Sequence, residues 1–180
     1  FATYSITDAR KERVAFAGPY FVAGQDLLVR ADDTAITGPE SLEGKNLCSV
    51  TGSTSAQKIK DQFASGVNLV EQGGYAECVT YLESGQVDAV TTDDIILAGL
   101  AAADANKGKF KVVGNTFTTE RYGVGLPKDS ERCEDINEAI KEMKDSGEWK
   151  KALESNTEGT GYTYDETLNS GEDAEFEPCA

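Results

Sequence analysis

One arginine and several hydroxyl side chains lie close together in TYSITDAR, at residues 3–10. Apolar and polar residues alternate at the start of this segment, which is typical of the end of a β-strand. Arg10 can bind a carboxylate through two parallel hydrogen bonds, and the hydroxyls of Thr3 and Ser5 can donate further ones. The segment is therefore a candidate site for a carboxylate group.

A second polar segment, TGSTS at residues 51–55, follows a short apolar stretch and leads directly into a predicted helix. A helix N-terminus carries free N–H groups and the positive end of the helix dipole, so it suits an anion. The hydroxyls of Ser53 and Thr54 could add donors there. Either hydroxyl could instead serve only as the N-cap of the helix.

The third polar segment, TTDD at residues 91–94, ends one predicted strand and begins another predicted helix. Aspartate is a preferred N-cap residue, so both carboxylates could serve the helix alone. A carboxylate of Asp93 that faced a cleft would instead bind an ammonium group. If residues 3–10 lie across that cleft, Arg10 and Asp93 would together match the two charges of an amino-acid zwitterion.

Strand and helix patterns alternate between residues 25 and 117, which predicts an α/β domain with a largely parallel sheet. In an open α/β sheet, ligands bind beyond the carboxyl ends of strands, where both 51–55 and 91–94 fall. The predicted strands are 25–33, 47–50, 67–71, 86–92 and 110–114, and the predicted helices are 55–66, 75–85 and 93–104.

The flanks of this domain are too short to build a core of their own. Residues 1–19 carry a strand end and a helical turn, and residues 123–155 carry a strand followed by a helix with Ile136, Ile140 and Met143 on one side. We expect the flanks to form parts of one second domain. The chain would then cross between the domains twice, at residues 20–24 and 118–122.

The composition excludes several classes of function. The formal net charge is −15, which argues against nucleic acid as a partner because its phosphates would be repelled. The chain contains no histidine, the commonest general base and metal ligand, so neither a serine or cysteine hydrolase nor a metal or other cofactor is expected. No apolar run of about 18 residues predicts a membrane span. Phe1 begins in the middle of a pattern, so we expect an earlier segment.

Four cysteines stand at wide spacing, and none forms a CxxC pair. An even count with this spacing predicts two disulfides and an oxidising compartment, although four reduced, buried thiols would also fit. A bond between Cys48 and Cys78 would close a loop within one domain. A bond between Cys133 and Cys179 would fasten the glycine- and acid-rich tail, which is otherwise expected to be mobile.

Several segments resemble landmarks of a known protein family. TYSITDARKERVAFAGPYF, at residues 3–21, is similar to the crossover segment of the periplasmic-type amino-acid-binding proteins, which are family 3 of the solute receptors of ABC importers. LCSVTGSTSAQKIKD, VDAVTTDD and RYGVGLPKDS match later landmarks of that family in the same order. The pair LCSVTGSTSAQK and YAECV is most similar to the actinobacterial glutamate-binding lipoproteins, in which the two cysteines also occur.

The resemblance implies a two-lobed α/β fold of the type II periplasmic-binding-protein class, with a double crossover as its hinge. Residues 25–117 would form a complete lobe two. Residues 1–19 and 123–180 would form a partial lobe one with a C-terminal tail, because the first part of that lobe precedes Phe1 in the family. The hinge would consist of the two predicted crossover segments.

The resemblance also implies ligand contacts at seven positions: Thr3, Ser5, Arg10, Ser53, Thr54, Thr92 and Asp93. Arg10 matches the arginine that binds the α-carboxylate, with the preceding hydroxyls beside it. Thr54 matches a second carboxylate contact, and Asp93 matches the acid that takes the α-amino group. Ser53 and Thr92 would contact the side chain of the ligand.

The function implied is that of an extracytoplasmic receptor that binds an L-amino acid, with glutamate as the first candidate, and delivers it to an ABC permease in the membrane. Binding would close the hinge, no reaction would be catalysed, and the lipid anchor would lie outside this chain. Glutamine, asparagine and aspartate stay open as ligands, because Lys58 and Arg121 are only candidates for the γ-carboxylate partner. Alternatives on the same fold are a cyclohexadienyl (arogenate or prephenate) dehydratase and the ligand-sensing domain of a signalling receptor.

Overall fold

The structure is a computed structural model that describes residues 1–63 and 65–179, without the side chain of Gln57. Ala64 of the predicted helix 55–66 and Ala180 of the predicted tail lie outside the described residues. The chain divides into a first unit, Phe1–Ala23, Thr119–Glu158 and Thr163–Ala180, and a second unit, Gly24–Thr118 and Gly159–Tyr162. Residues 159–162, which were predicted in the tail of lobe one, group with the second unit. The predicted limits of lobes and hinge stay a prediction.

The strands are short, largely buried runs, and several helices begin directly after a Ser, Thr or Asp that can cap them. The strands are β1 (Ala15–Ala23), β2 (Gln25–Arg30), β3 (Asn46–Val50), β4 (Asn68–Gln72), β5 (Ala89–Asp93), β6 (Phe110–Val112) and β7 (Glu120–Leu126). The helices are α1 (Asp8–Lys11), α2 (Thr54–Gln62), α3 (Tyr75–Glu83), α4 (Asp94–Ala102), α5 (Cys133–Asp145), α6 (Glu148–Thr157) and α7 (Glu166–Ser170), with 3₁₀ turns at Pro39–Leu42 and Glu172–Ala174.

The second unit is built on a five-stranded sheet with the order β4-β3-β5-β2-β6. β3 pairs in parallel with β4 and with β5, whereas β2 runs antiparallel to both of its neighbours, β5 and β6. The prediction of a largely parallel sheet is therefore wrong for the pairing of β2. The hydrophobic pattern shows which residues of a strand are buried and carries no information on strand direction, so β2 could not be distinguished from the strands that pair in parallel.

Alternate residues of these strands point to opposite faces of the sheet and bury two separate clusters. Leu27 and Leu47 belong to the cluster that contains Ile59 of α2. Leu28 belongs to the opposite cluster, which contains Leu97 of α4 and side chains of α3. Because helices cover both faces, β2, β3 and β5 are buried along nearly their whole length, as in other α/β sheets.

Both predicted disulfides are present. Cys48 of β3 is bonded to Cys78 of α3, and the two residues are fully buried in the second cluster. Cys133 at the start of α5 is bonded to Cys179 in the tail. Each bond therefore joins segments within one unit: the first fastens α3 to the sheet, and the second fastens the tail to α5.

The first unit contains the antiparallel pair β1 and β7, whose register shifts between Ala17 and Phe21. α5 packs on this pair and buries Cys133, Asn137 and Ile140. Ile136, Ile140 and Met143 lie on one side of α5, as predicted, but Met143 is at the margin of the buried face and is 39% exposed. At 100° per residue the buried face is centred on Cys133, Asn137 and Ile140, and Met143 lies about 80° away from it.

The tail after α6 is ordered against β1 by side-chain amides. Asn169 of α7 accepts a hydrogen bond from Val22 N and donates one to Val22 O, both at 2.8 Å, so it satisfies the edge of β1 as a neighbouring strand would. Asn137 of α5 accepts a hydrogen bond from Gly18 N at 2.7 Å in the same way.

Within the described part of the chain, no helix has the length and apolar character that crossing a bilayer requires.

Candidate functional site

Arg10 lies in α1, and its guanidinium is held close to the segment that precedes the helix. Thr7 caps the helix by accepting a hydrogen bond from Arg10 N at 3.3 Å. The guanidinium donates from Nη1 to the carbonyl of Ser5 at 2.8 Å, and its Cζ lies 4.2 Å from the centre of the Tyr4 ring. A guanidinium has five N–H donors, so this arrangement orients the group and leaves it able to bind an anion. The structure thus brings Ser5 to Arg10, whereas Thr3 is exposed.

The segment around Ser5 is fixed to the edge of β7. Ser5 is buried and forms an isolated antiparallel bridge with Tyr122. Next to it, Ile6 N donates to the carbonyl of Arg121 at 2.8 Å. The predicted strand end in residues 3–10 is therefore wrong in extent, because the segment adds one bridge to β7 and no strand.

In the second unit, the carboxyl ends of β3 and β5 meet at the same edge of the sheet, because the two strands are parallel neighbours. Two hydrogen-bonded links hold the segments that follow. Ser49 Oγ donates to Thr91 O at 3.0 Å. The fully buried Gln25 donates from Nε2 to Ser55 O at 2.8 Å and to Thr91 Oγ1 at 2.9 Å, so it ties the start of α2 to β5. Its Oε1 has no hydrogen-bond partner among the described residues.

The segment between β3 and α2 has the geometry of a capped helix start. Gly52 has a φ of +82°, a left-handed conformation that glycine adopts without strain. Ser53 is the N-cap, and its Oγ accepts a hydrogen bond from Ser55 N at 3.2 Å. Ser53 therefore caps the helix, which is the alternative role that the sequence allowed. Thr54 is the first residue of α2 and is half-buried, in the turn whose N–H groups have no partner within the helix.

The end of β5 and the start of α4 carry two adjacent carboxylates with different roles. Thr92 is buried and accepts a hydrogen bond from the Tyr75 hydroxyl at 2.7 Å. Asp93 is 5% exposed and stands at the N-cap position of α4, but its side chain makes no capping hydrogen bond. The side chain of Asp94 bonds the helix instead, by accepting from Ile95 N at 2.7 Å. The helix therefore does not require the carboxylate of Asp93.

Asp94 and Asp26 form a second acidic pair near the start of β2. Asp94 Oδ1 also accepts from Gly24 N and from the Tyr162 hydroxyl, each at 3.4 Å, and Asp26 accepts from three backbone N–H groups. Burial raises the pKa of Asp94, against these hydrogen bonds, and the charge of Asp26 raises it further. Burial also raises the pKa of Asp26. Asp94 is therefore held for the fold, and its ionised form is disfavoured.

Replacing Asp94 by asparagine should leave the protein at least as stable as the wild type at pH 7. A carboxyl with a raised folded-state pKa contributes stability that is full below its unfolded pKa of about 4 and is lost as the pH rises through the folded pKa. Asparagine keeps an acceptor oxygen and cannot ionise, so its advantage should shrink as the pH falls towards about 4. Urea unfolding at pH 7 and pH 4 would measure this, with the exposed Asp32→Asn as control. A less stable Asp94→Asn protein at pH 7 would contradict the prediction.

Two positive side chains, Arg121 and Lys58, were predicted as partners of a ligand γ-carboxylate. Arg121 donates to the carbonyls of Asp173 and Glu175 and pairs with the carboxylate of Glu177, so the tail engages its guanidinium. Binding of a ligand γ-carboxylate by Arg121 stays a prediction, which these contacts with the tail do not favour. Lys58, in α2, is half-buried and stays a candidate. The described residues contain no group of three or more Cys, Asp or Glu side chains placed to hold a metal ion.

The sheet order, the polar strand ends and the second α/β unit define a protein of the type II periplasmic-binding class. An ancestral arginine-binding protein bound to glutamine has a similar structure, with a TM-score of 0.77 and 39% identity over 86% of this chain and 68% of its own. The sequence profile of the bacterial extracellular solute-binding proteins, family 3, matches residues 1–158. The chain belongs to that family.

Two curated relatives show how much of such a protein this chain covers. The glutamate-binding protein GluB of Corynebacterium efficiens is 47% identical over 162 residues, which are 86% of this chain and 54% of GluB. The ABC transporter glutamine-binding protein GlnH of Bacillus subtilis is 42% identical over 150 residues, which are 82% of this chain and 53% of GlnH. The chain therefore spans about half the length of the curated relatives it matches.

Proposed function

We propose that this chain is part of an extracytoplasmic receptor that binds an L-amino acid, with glutamate as the ligand, and presents it to an ABC permease. Arg10 binds the α-carboxylate, with Ser5 and Thr3 beside it. Thr54 makes the second carboxylate contact, and Asp93 binds the α-ammonium group. Ser53 and Thr92 contact the ligand side chain. A lipid anchor outside this chain holds the receptor at the outer face of the cell membrane.

One observation carries the proposal: the buried carboxylate of Asp93 and the N-terminus of α2 lie at the same edge of one sheet. A carboxylate attracts an ammonium group, and a helix N-terminus attracts a carboxylate. The two charges of an amino-acid zwitterion therefore find complementary groups at neighbouring strand ends. The guanidinium of Arg10, oriented by Ser5 and Tyr4, supplies a further carboxylate partner on the first unit.

Glutamate is preferred to glutamine because the relative with the higher identity of the two compared above is a glutamate-binding protein. Lys58 of α2 is the proposed partner of the γ-carboxylate. A dehydratase would need a second acid beside Asp93 to act as a general acid. The adjacent acid, Asp94, is bonded to the backbone N–H of Ile95, so no observation favours the dehydratase alternative. The two relatives compared above are named as binding proteins, which also supports a function without catalysis.

Calorimetric titration of the full-length protein with glutamate, glutamine, aspartate and asparagine tests the proposal. We expect glutamate to bind at least about tenfold more tightly than the other three, which corresponds to about 1.4 kcal/mol. Equal binding of glutamine would refute the assignment of glutamate as the ligand but would still agree with an amino-acid receptor. No binding to any of the four would refute the proposed class of ligand. Turnover of arogenate or prephenate would instead establish dehydratase activity.

Asp93→Asn should weaken glutamate binding by about 10- to 100-fold, because a charge-assisted hydrogen bond to the ammonium group is lost. The exposed Asp32→Asn, which removes one negative charge from the same unit, should leave the affinity unchanged. Circular dichroism would check that both variants are folded. An Asp93→Asn protein with wild-type affinity would remove Asp93 from the site.

A further inference from the structure

The C-terminal tail carries one acidic side chain that is built into a network of the first unit. Glu177 pairs with Lys11 Nζ at 2.8 Å and with Arg121 Nη1, and only 12% of its side chain is exposed. Its backbone N–H donates to the carbonyl of Gly18 in β1 at 2.7 Å. The disulfide from Cys179 to α5 begins two residues further on. Glu177 is thus held from both its backbone and its side chain.

The network reaches both ends of the segment that carries Arg10. At one end, the carbonyl of Arg121 accepts a hydrogen bond from Ile6 N. At the other end, Lys11, the last residue of α1, pairs with Glu177. The guanidinium of Arg121 is in turn bonded to the tail, so one tail segment braces Ile6 and Lys11 together.

The helix that carries Arg10 needs such a brace. α1 has only four residues, Asp8–Lys11, and a helix of this length is not stable by itself in water. Its N-terminus is capped by Thr7, whereas the side chain of Lys11 at its C-terminus is fixed by Glu177. Without Glu177 the last turn would lose its partly buried ion pair, and the neighbouring guanidinium would sample more orientations.

We infer that the tail from Glu172 to Cys179 is a positioning element for the ligand-binding arginine, with Glu177 as the residue that acts on Arg10 through Lys11. The inference rests on the proposed function of Arg10. The family match ends at residue 158, so this element lies in a part of the chain that the family profile does not include.

The electrostatics of the network agree with this role. Burial opposes the ionisation of Glu177, but the hydrogen bond from Lys11 and the charges of Arg121 and Lys11 outweigh it and lower the pKa of the carboxyl. Glu177 therefore stays ionised at neutral pH. Its neighbour Glu175 has an exposed side chain and contributes only its carbonyl to Arg121, so it offers a matched control in the same tail.

Glu177→Gln should weaken the binding of L-glutamate to the full-length protein by about five- to tenfold, whereas Glu175→Gln should change it less than about twofold. A positioning role has a specific signature: the affinity for the α-amide of glutamate, which lacks the α-carboxylate, should be nearly the same in Glu177→Gln and wild type. A merely structural role would weaken both ligands equally, and that result would overturn the inference.

The double variant Lys11→Ala with Glu177→Gln gives a second, independent measurement. If the two residues act through one contact, their effects should not add. The double variant should then bind glutamate with about the affinity of whichever single variant binds it less tightly. Additive losses, or an unchanged affinity of Glu177→Gln beside normal wild-type binding, would refute the positioning role alone. Wild-type protein that does not bind glutamate, or an Arg10→Ala variant with unchanged affinity, would refute the proposed function instead.

Discussion

Replacing Arg10 by alanine should raise the Kd of the full-length protein for L-glutamate by about 100-fold or more, which corresponds to about 2.7 kcal/mol. Truncating one partner of a hydrogen-bonded charge pair in a desolvated site costs about 2–5 kcal/mol, because the other charge is left without its partner. The guanidinium is already oriented by the carbonyl of Ser5 and the ring of Tyr4. Its contribution to binding therefore carries little further entropic cost.

The fold should tolerate this change, because Arg10 makes one side-chain hydrogen bond to protein among the described residues and is not part of a core cluster. The exposed Arg13, three residues further along the chain, provides the matched control: Arg13→Ala removes the same charge and should leave the Kd unchanged. Calorimetry gives the Kd of both variants, and thermal unfolding shows whether either is destabilised. If both variants lost affinity equally, the effect would be one of net charge, and Arg10 would have no place in the site.

The positions of the elements in the second unit could be predicted from sequence because burial and periodicity agree there. LCSV lies within β3, and most of VDAVTT lies within β5. The end of α2 was predicted less accurately. Gly66 was the expected stop, but the helix ends at Gln62, and Phe63 instead packs edge-to-face on Phe117 at 5.3 Å. Phe117 lies in a distant segment, so the local sequence around α2 carries no signal of this contact.

The chemistry of the candidate site was more accessible to sequence reasoning than the groups that support it. Asp93 ends one strand and Asp94 begins the next helix, and their adjacency suggested that one of them serves the helix, which is the role of Asp94. Gln25 was missed, although a glutamine at the start of the apolar run QDLLVR is a signal of a buried polar link. Tyr75 was missed because its partner, Thr92, is on another element. Such links depend on the strand order, which the local pattern does not encode.

Removing the Cys48–Cys78 disulfide should lower the free energy of unfolding by about 3–4 kcal/mol. The bond joins residues 30 positions apart, and on the chain-entropy model a loop of that length restricts the unfolded chain by this amount. The native state should keep its packing in the variant Cys48→Ala with Cys78→Ala, because both positions lie inside an apolar cluster that tolerates a small apolar side chain. Urea unfolding of the variant and of the wild type would measure the difference.

The second disulfide provides the control, because it closes a loop of similar length with a more accessible sulfur. Cys133 and Cys179 are 46 positions apart, and Cys179 is half-buried, whereas Cys48 and Cys78 are fully buried. Thiol–disulfide exchange requires access of the attacking thiolate to a sulfur, so mild reductant should open Cys133–Cys179 first and leave Cys48–Cys78 intact until the second unit unfolds. Mass spectrometry after thiol alkylation would show the order. Simultaneous reduction of both bonds in folded protein would mean that α3 leaves the sheet in the native state, and the expected loss of 3–4 kcal/mol would then be too large.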